Sequence, residues 1–307
     1  MPTDPKTLEL IRALFPDEEI KELTHISVGW NSHVYILNGK FTIKIPKTRS
    51  AVKGIEKEMA LTDAIRSHLP VELPEYISRA EVDGLHGFAY KLIRGGMLTT
   101  KPLSSSEIYS DPTGIKEINI YRSVQKQIAG ILSSIHGIDP NLVKGILSKY
   151  EHETWDEAYR RFGRKWAMTL DRVFHGRELV AARTLLEETI NGIAGCNFPE
   201  RFIHGDFGGW NIIYDKNRYE ITGILDWADS RMGDPAVDFS ELIYDYGEQY
   251  CRELISFYGE GEGAGLMERA KMYLKLEGFR DLHYGIATDS AEFKARGIKN
   301  IEKMTRG

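Results

Sequence analysis

The chain has 307 residues, 42% of them hydrophobic, enough to build the core of one large domain or two of ordinary size. Lys and Arg number 40 against 45 Asp and Glu, a net charge of −5 that offers no general field to draw a polyanion, so no nucleic-acid partner is expected. No segment approaches the ~18 apolar residues of a membrane span. The N-terminal stretch lacks the basic start and apolar run of an export signal, and Cys196 and Cys251 have neither zinc-site nor redox-pair spacing. The expectation is a cytoplasmic protein with no membrane partner.

Residues 5–15 (PKTLELIRALF) set Leu8, Leu10, Ile11, Leu14 and Phe15 between two prolines, the pattern of a short amphipathic helix serving as a cap. From 23 to 48 the period changes: LTHISVG and HVYILNGKFTIKIP read as strands, with a hairpin at Asn38-Gly39 that opens an antiparallel sheet. Residues 52–68 restore helical spacing through Ile55, Met59, Leu61 and Ile65, until the proline-bearing LPVELPEY ends it. Two more strand-like runs flank Asp83-Gly84. The segment IRGGMLTTKPLSSSE, with paired Gly and a Ser run, marks a boundary, giving an N-terminal unit over 1–94 and a mainly helical one over 95–307. In the second unit Ile120, Val124, Ile128, Ile131, Leu132 and Ile135 share one face of a long core helix. Helices are expected near 153–173 and 176–194; strand and loop return in RFIHGDFGGWNIIYD and RYEITGILDWADS, and helices occupy the remainder.

The strongest chemical signal is His204-Gly205-Asp206, four residues and then Asn211, followed by Ile224-Leu225-Asp226. A phosphoryl-transfer loop needs a carboxylate to accept the acceptor hydroxyl's proton. An amide oxygen five residues on can bind Mg²⁺ from the other side of the same loop, and a carboxylate from an adjacent hairpin completes the metal site. Asp206, Asn211 and Asp226 fit those three roles. Either piece alone is a turn or a strand end met by chance; together, with apolar strands flanking both, they form a context. His204 is read as a structural brace of the loop.

Lys44 lies inside the strand FTIKIP, with Glu58 in the helix that follows. A lysine in an apolar strand calls for an anionic partner, and that pair would hold it against the α- and β-phosphates; alternatively Thr42, Lys44 and Pro46 share the solvent face of an alternating strand. Ser27, Gly29 and Ser32 lie in a turn whose N–H groups and hydroxyls can meet phosphate oxygens, although a plain hairpin has the same sequence. After Asp226 come Asp229, Asp234, Asp238, Glu241 and Asp245. A helix lines up the last three, a negative surface beside the reacting centre that favours a polycationic acceptor. Asp229 and Asp245 are expected to touch substrate with Glu241 behind them, while Asp238 holds the loop and Asp234-Pro235 forms a turn.

HGDFGGWN and GILDWADSRMGDPAVDF resemble the two signature segments of the aminoglycoside phosphotransferase family. FTIKIPK, EMALTDAIRSHLP and GFAYKLIRGGMLT are similar to its lysine strand, following helix and linker. The likeness is nearest to the enzymes that modify the 2″ hydroxyl, with macrolide phosphotransferases as cousins. It implies an α+β, bilobal protein-kinase-like fold, with an antiparallel-sheet N-lobe and a mainly helical C-lobe, and ATP or GTP as donor with Mg²⁺. It implies Asp206 as base, Asn211 and Asp226 as metal ligands, and Lys44 with Glu58 as the phosphate-positioning pair. The linker over 91–94 would face the nucleotide base through Lys91, Leu92 and Ile93. Ser27 stands where such enzymes tend to have the first loop glycine, and Tyr244 where an acid would help hold the acceptor's amines. The expected activity is aminoglycoside phosphorylation, hence antibiotic resistance, by a monomer or weak dimer. The alternatives are a kinase of the same fold acting on a macrolide, choline, homoserine or a sugar amine, and a silent nucleotide-binding pseudokinase.

Overall fold

The structure is a computed structural model and describes residues 4–28, 31–98, 115–259 and 265–306, with the backbone alone for Ser27, Val28 and 115–118. Helix α1 (Pro5–Leu14) starts at Asp4, whose carboxylate accepts the N–H groups of Lys6 and Thr7. Strands β1 (Leu23–Val28), β2 (Ser32–Leu37), β3 (Phe41–Pro46), β4 (Tyr76–Val82) and β5 (Leu85–Lys91) form an antiparallel sheet in the order β1-β2-β3-β5-β4. Both hairpins predicted from the sequence turn through left-handed backbone, Asn38 and Gly39 in one and Asp83 and Gly84 in the other, as tight turns matched to strand twist favour.

Leu10, Ile11 and Leu14 of α1 pack on Leu37, Ile43, Ile45 and Ala89, closing one face of this sheet. Helix α2 (Arg49–Ile65), capped by the Thr48 hydroxyl, brings Glu58 to Lys44 of β3. The strand is therefore covered on both sides, and Lys44 is only 8% exposed, so the solvent-face reading of this residue does not hold. Met59, read as part of the helix's core stripe, is only partly buried, because α2 turns its buried edge through Ile55, Glu58, Leu61, Thr62 and Ile65.

Beyond the sheet, β6 (Gly96–Met97), β8 (Ile212–Asp215) and β9 (Glu220–Ile224) form a second sheet in the order β6-β8-β9. Strand β7 (Arg201–Ile203) pairs with β10 (Arg231–Gly233), with Ile203 opposite Arg231. That pairing decides the site, because it lays the chain leaving Ile203 beside the chain arriving at Arg231. The remainder is mainly helical: α3 (Ile115–His136), α4 (Pro140–Leu147), α5 (Trp155–Leu170), α6 (Gly176–Ala194), α7 (Ala236–Tyr246), α8 (Glu248–Ile255), α9 (Leu266–Ala287) and α10 (Ala291–Arg306). On α3, Val124, Ile128, Ile131, Leu132 and Ile135 are buried as their spacing predicts, with Ile120 partly so. Helix α4 was not foreseen, since eight residues are too few to display a period. Among the described residues no helix is long and apolar enough to cross a membrane.

Candidate active site

The loop after β7 is held by buried groups on three sides. Asp238 of α7 accepts the N–H of His204 at 2.9 Å and of Gly205 at 2.7 Å, and the Nε2–H of His136 at 2.9 Å; Tyr258 lies 2.7 Å from the other nitrogen of that ring. The His204 ring is spent on both nitrogens: Nε2 donates to the Leu225 carbonyl at 2.9 Å and Nδ1 accepts from the Asp206 N–H at 3.3 Å. Burial pushes its pKa down, so the ring is a neutral brace between the two loops. Gly205 has φ +84°, and a Cβ there would stand 2.5 Å from the Asp229 carbonyl oxygen, so the close approach of the loops requires glycine.

Asp206 sits at the loop's open side. Asn211 donates its amide hydrogens to the Asp206 backbone carbonyl at 2.8 Å and to Oδ2 of its carboxylate at 2.9 Å, which leaves the amide oxygen of Asn211 turned away as an acceptor. Burial raises the Asp206 carboxyl well above the usual carboxylate range; the Glu241 charge adds to this and the Arg280 guanidinium opposes it. The Leu225 N–H donates to the Asn211 carbonyl at 2.8 Å, tying the start of the second loop to the end of the first. One residue later Asp226 adopts left-handed backbone, φ 62° and ψ 67°, a region uncommon outside glycine that aspartate enters more readily than most side chains.

Asp226 is half exposed and reaches Lys44 Nζ at 3.3 Å, while the fully buried Glu58 takes the same ammonium at 2.8 Å. Burial works against charge on Lys44, but the Asp226 and Glu58 carboxylates together outweigh it and hold the ammonium well above its ordinary range. Lys44 is thus the charged link between the five-stranded sheet and the second loop. Asn211 and Asp226 offer one amide and one carboxylate oxygen, hard donors suited to Mg²⁺, which commonly takes one or two carboxylates and fills its octahedron with phosphate oxygens and water. The donor set therefore fits Mg²⁺ together with a bound phosphate chain.

Other predicted residues are spread around this centre. The Ser32 residue is buried at the start of β2, whereas Gly29 and the Ser27 side chain lie outside the described residues. Lys91 is exposed and paired with Glu75 at 2.5 Å, the Leu92 N–H donates to the Lys40 carbonyl at 2.8 Å, and Ile93 is buried. Asp229 is exposed beside Gly205. Glu241, by contrast, is buried against Arg280 of α9, at 2.8 and 3.4 Å. Arg280 also pairs with Glu277, and sequence reading missed both, because no local motif connects α9 to the loop. Arg269 and Tyr273 hold Asp234 at 2.8 and 3.2 Å, so that residue anchors α9 as well as forming its turn.

Asp245 accepts the Gly209 N–H at 2.7 Å, and the next residue, Tyr246, donates its hydroxyl to the Leu98 carbonyl at 2.6 Å. A Cβ on Gly209 would fall 2.2 Å from that hydroxyl, so the last turn of α7 clamps the loop through a residue that must be glycine. Burial raises the Asp245 carboxyl to about 6 from its ordinary 3.8. Between those values the folded chain keeps a proton that the unfolded chain releases, so this group makes stability fall as pH rises through the window, by about 2 kcal/mol given its partly open side. Asp245→Asn keeps an acceptor for Gly209 without the charge. Urea unfolding of both proteins across pH 4–8 is expected to show the variant gaining on the wild type as pH rises and level with it near pH 4. Parallel curves would remove the assignment.

An antiparallel sheet joined through a short strand to a helical unit, with Lys44, Glu58 and Asp226 meeting at the junction, defines the bilobal kinase-like class. The solved structures it is similar to share that architecture over nearly their whole length. The GDP and kanamycin complex of an APH(2″) enzyme has TM-score 0.80 and 19% identity over 97% of each chain. The gentamicin complex of APH(2″)-IIa has TM-score 0.77 and 18% identity over 98% of this chain and 96% of that one. The macrolide 2′-phosphotransferase MphH of Brachybacterium faecium has TM-score 0.68 and 16% identity over 96% and 97%.

At such identities the likeness is one of fold. Residues 22–273 match the model of the phosphotransferase enzyme family, described as APH, and the chain belongs to that family. Curated relatives match over short segments. The uncharacterized protein YcbJ of Bacillus subtilis (strain 168) is 36% identical over 61 residues, 20% of each protein. The viomycin phosphotransferase of Streptomyces vinaceus is 30% identical over 69 residues, 22% of this chain and 24% of that protein.

Proposed function

We propose that the chain moves the γ-phosphoryl group of ATP or GTP to a hydroxyl of a small cationic acceptor, an aminoglycoside, in the cytoplasm, as a monomer or weak dimer. The single observation that carries this reading is the constellation at the junction: the Asp206 carboxylate fixed by the Asn211 amide, and the left-handed Asp226 touching Lys44. On this reading residues 1–94 form the nucleotide-positioning lobe and 95–307 carry the reacting groups and the acceptor site.

Asp206 takes the proton of the acceptor hydroxyl as its oxygen approaches the phosphorus, and its raised pKa suits a base that must hold that proton. Lys44, kept charged and aimed by Glu58, neutralises the phosphate tail; Ser27, Gly29 and Ser32 cover it, and Lys91, Leu92 and Ile93 face the base of the nucleotide. Asn211 and Asp226 would hold Mg²⁺, which when bound supplies charge neutralisation at the phosphates. Asp229 and Asp245 meet the acceptor's amines. The GDP, kanamycin and gentamicin complexes of the similar structures support a nucleoside triphosphate donor and an aminoglycoside acceptor.

The test is a coupled assay of nucleoside diphosphate release, with ATP and GTP crossed against kanamycin, a macrolide, choline, homoserine and amino sugars in the presence of Mg²⁺. Kanamycin turnover is expected to exceed that of the other acceptors by orders of magnitude. Equal or absent kanamycin turnover would sink the aminoglycoside assignment, and no release with any acceptor would favour a silent nucleotide-binding protein.

A further inference from the structure

Helices α7 and α9 carry Glu241, Glu277 and Asp281, all buried, and the Glu241 charge is felt at Asp206. Each is already matched by a guanidinium. Arg280 takes both oxygens of Glu241 and pairs with Glu277 one turn back on its own helix, and Arg296 of α10 grips Asp281 with two bonds of 2.7 Å. Arg296 also lies 5.9 Å from the centre of the Tyr244 ring, so the position where an acid was expected instead faces a cation. Arg280 keeps 31% of its side chain exposed, and its charge is felt at Asp206, Asp229 and Asp245. A guanidinium held by two carboxylates, with its charge felt at Asp206, has the arrangement of a bound cationic ligand supplied by the chain itself.

Building on the phosphotransferase reading of this site, we propose that Arg280 is a specificity-determining residue: its guanidinium stands in for an acceptor cation at Glu241 and Glu277, so the acceptor docks its positive groups only at Asp229 and Asp245. The acceptor class narrows accordingly to aminoglycosides that present one or two of their ammonium groups on the side facing the loop. One that sets a further ammonium against the wall loses a charge pair there. Such a device works by exclusion: like charge set against a wrong ligand discriminates as well as an added contact does.

The test measures kanamycin binding by calorimetry without nucleotide, in the wild type, R280K, R280Q and R280Q/E277Q. The double variant leaves Glu241 as the one carboxylate freed, which spares the fold a pair of unpaired acids. Vacating the guanidinium is expected to tighten kanamycin binding at least about tenfold, the scale of one well-placed charge pair. R280K is expected to stay near the wild type, and Mg²⁺-nucleotide affinity within about twofold in every protein that folds. Tightening in either charge-removing variant that retains nucleotide binding supports the proposal; unchanged or weaker kanamycin binding in both overturns it. Absence of diphosphate release in the coupled assay would defeat the phosphotransfer reading separately, since the titrations report on Arg280 whether or not the chain turns over.

Discussion

Asp206→Asn is expected to lower the rate of phosphoryl transfer by about 10²–10⁴-fold while nucleotide affinity stays within about twofold. Asparagine has the shape of aspartate and keeps an oxygen for the Asn211 amide, which donates at 2.9 Å to the carboxylate and at 2.8 Å to the backbone carbonyl, so the loop is retained. What disappears is the negative oxygen able to take a proton. Lys44, Glu58 and Asp226 keep their own ion pairs and are untouched. Steady-state rates with the best acceptor and an equilibrium titration with nucleotide separate the two effects. A variant that keeps a tenth of the wild-type rate, or that loses nucleotide as well as turnover, would show that Asp206 is not the proton acceptor.

The second large effect is one of stability and lies at Asp238. Its carboxylate is fully buried and accepts from the His204 and Gly205 N–H groups and from His136, which joins α3, α7 and the loop after β7 in one network. Asp238→Ala leaves two backbone donors and an imidazole without their acceptor in a site closed to water, at a cost of about 3–5 kcal/mol. Asp238→Asn is expected to cost less but to remain destabilising, because its amide nitrogen sets a donor against donors. Chemical denaturation reads the loss, and turnover of the folded fraction is expected to fall as well, since Gly205 would no longer be held against the Asp229 carbonyl. A loss below about 1 kcal/mol would mean the network is dispensable.

Much of the junction is legible in the sequence because it is local. Asp206 and Asn211 lie five residues apart in one tight loop, and their bond follows from that spacing once the flanking runs are read as strands. The hairpins at Asn38-Gly39 and Asp83-Gly84 were equally legible, since a left-handed turn selects those residues whatever packs around it. Lys44 was ambiguous for a physical reason. Alternation along β3 describes one strand's two faces but not what covers each, and only α2 lying on the second face turned an exposed position into a buried ion pair.

The acids of α7 were read least completely. Acids at 238, 241 and 245 do fall on one helix, as their spacing predicts, yet they do three different things: Asp238 braces the loop, Glu241 is bound to Arg280, and Asp245 holds the Gly209 N–H. A helical period says which side chains share a face. It cannot say which partners other helices bring to that face.

By itself, then, the sequence determined the tight loop that joins Asp206 to Asn211, the two left-handed hairpins and the family to which the chain belongs. Tertiary structure alone decided the buried Lys44–Glu58 pair, its contact with Asp226, the neutral tautomer of His204 and the arginines matched to Glu241 and Asp281. The reason is range: propensity, turn chemistry and motif spacing act over a few residues, whereas the charge state and availability of a carboxylate depend on burial and on partners such as Arg280 that the chain supplies from distant helices.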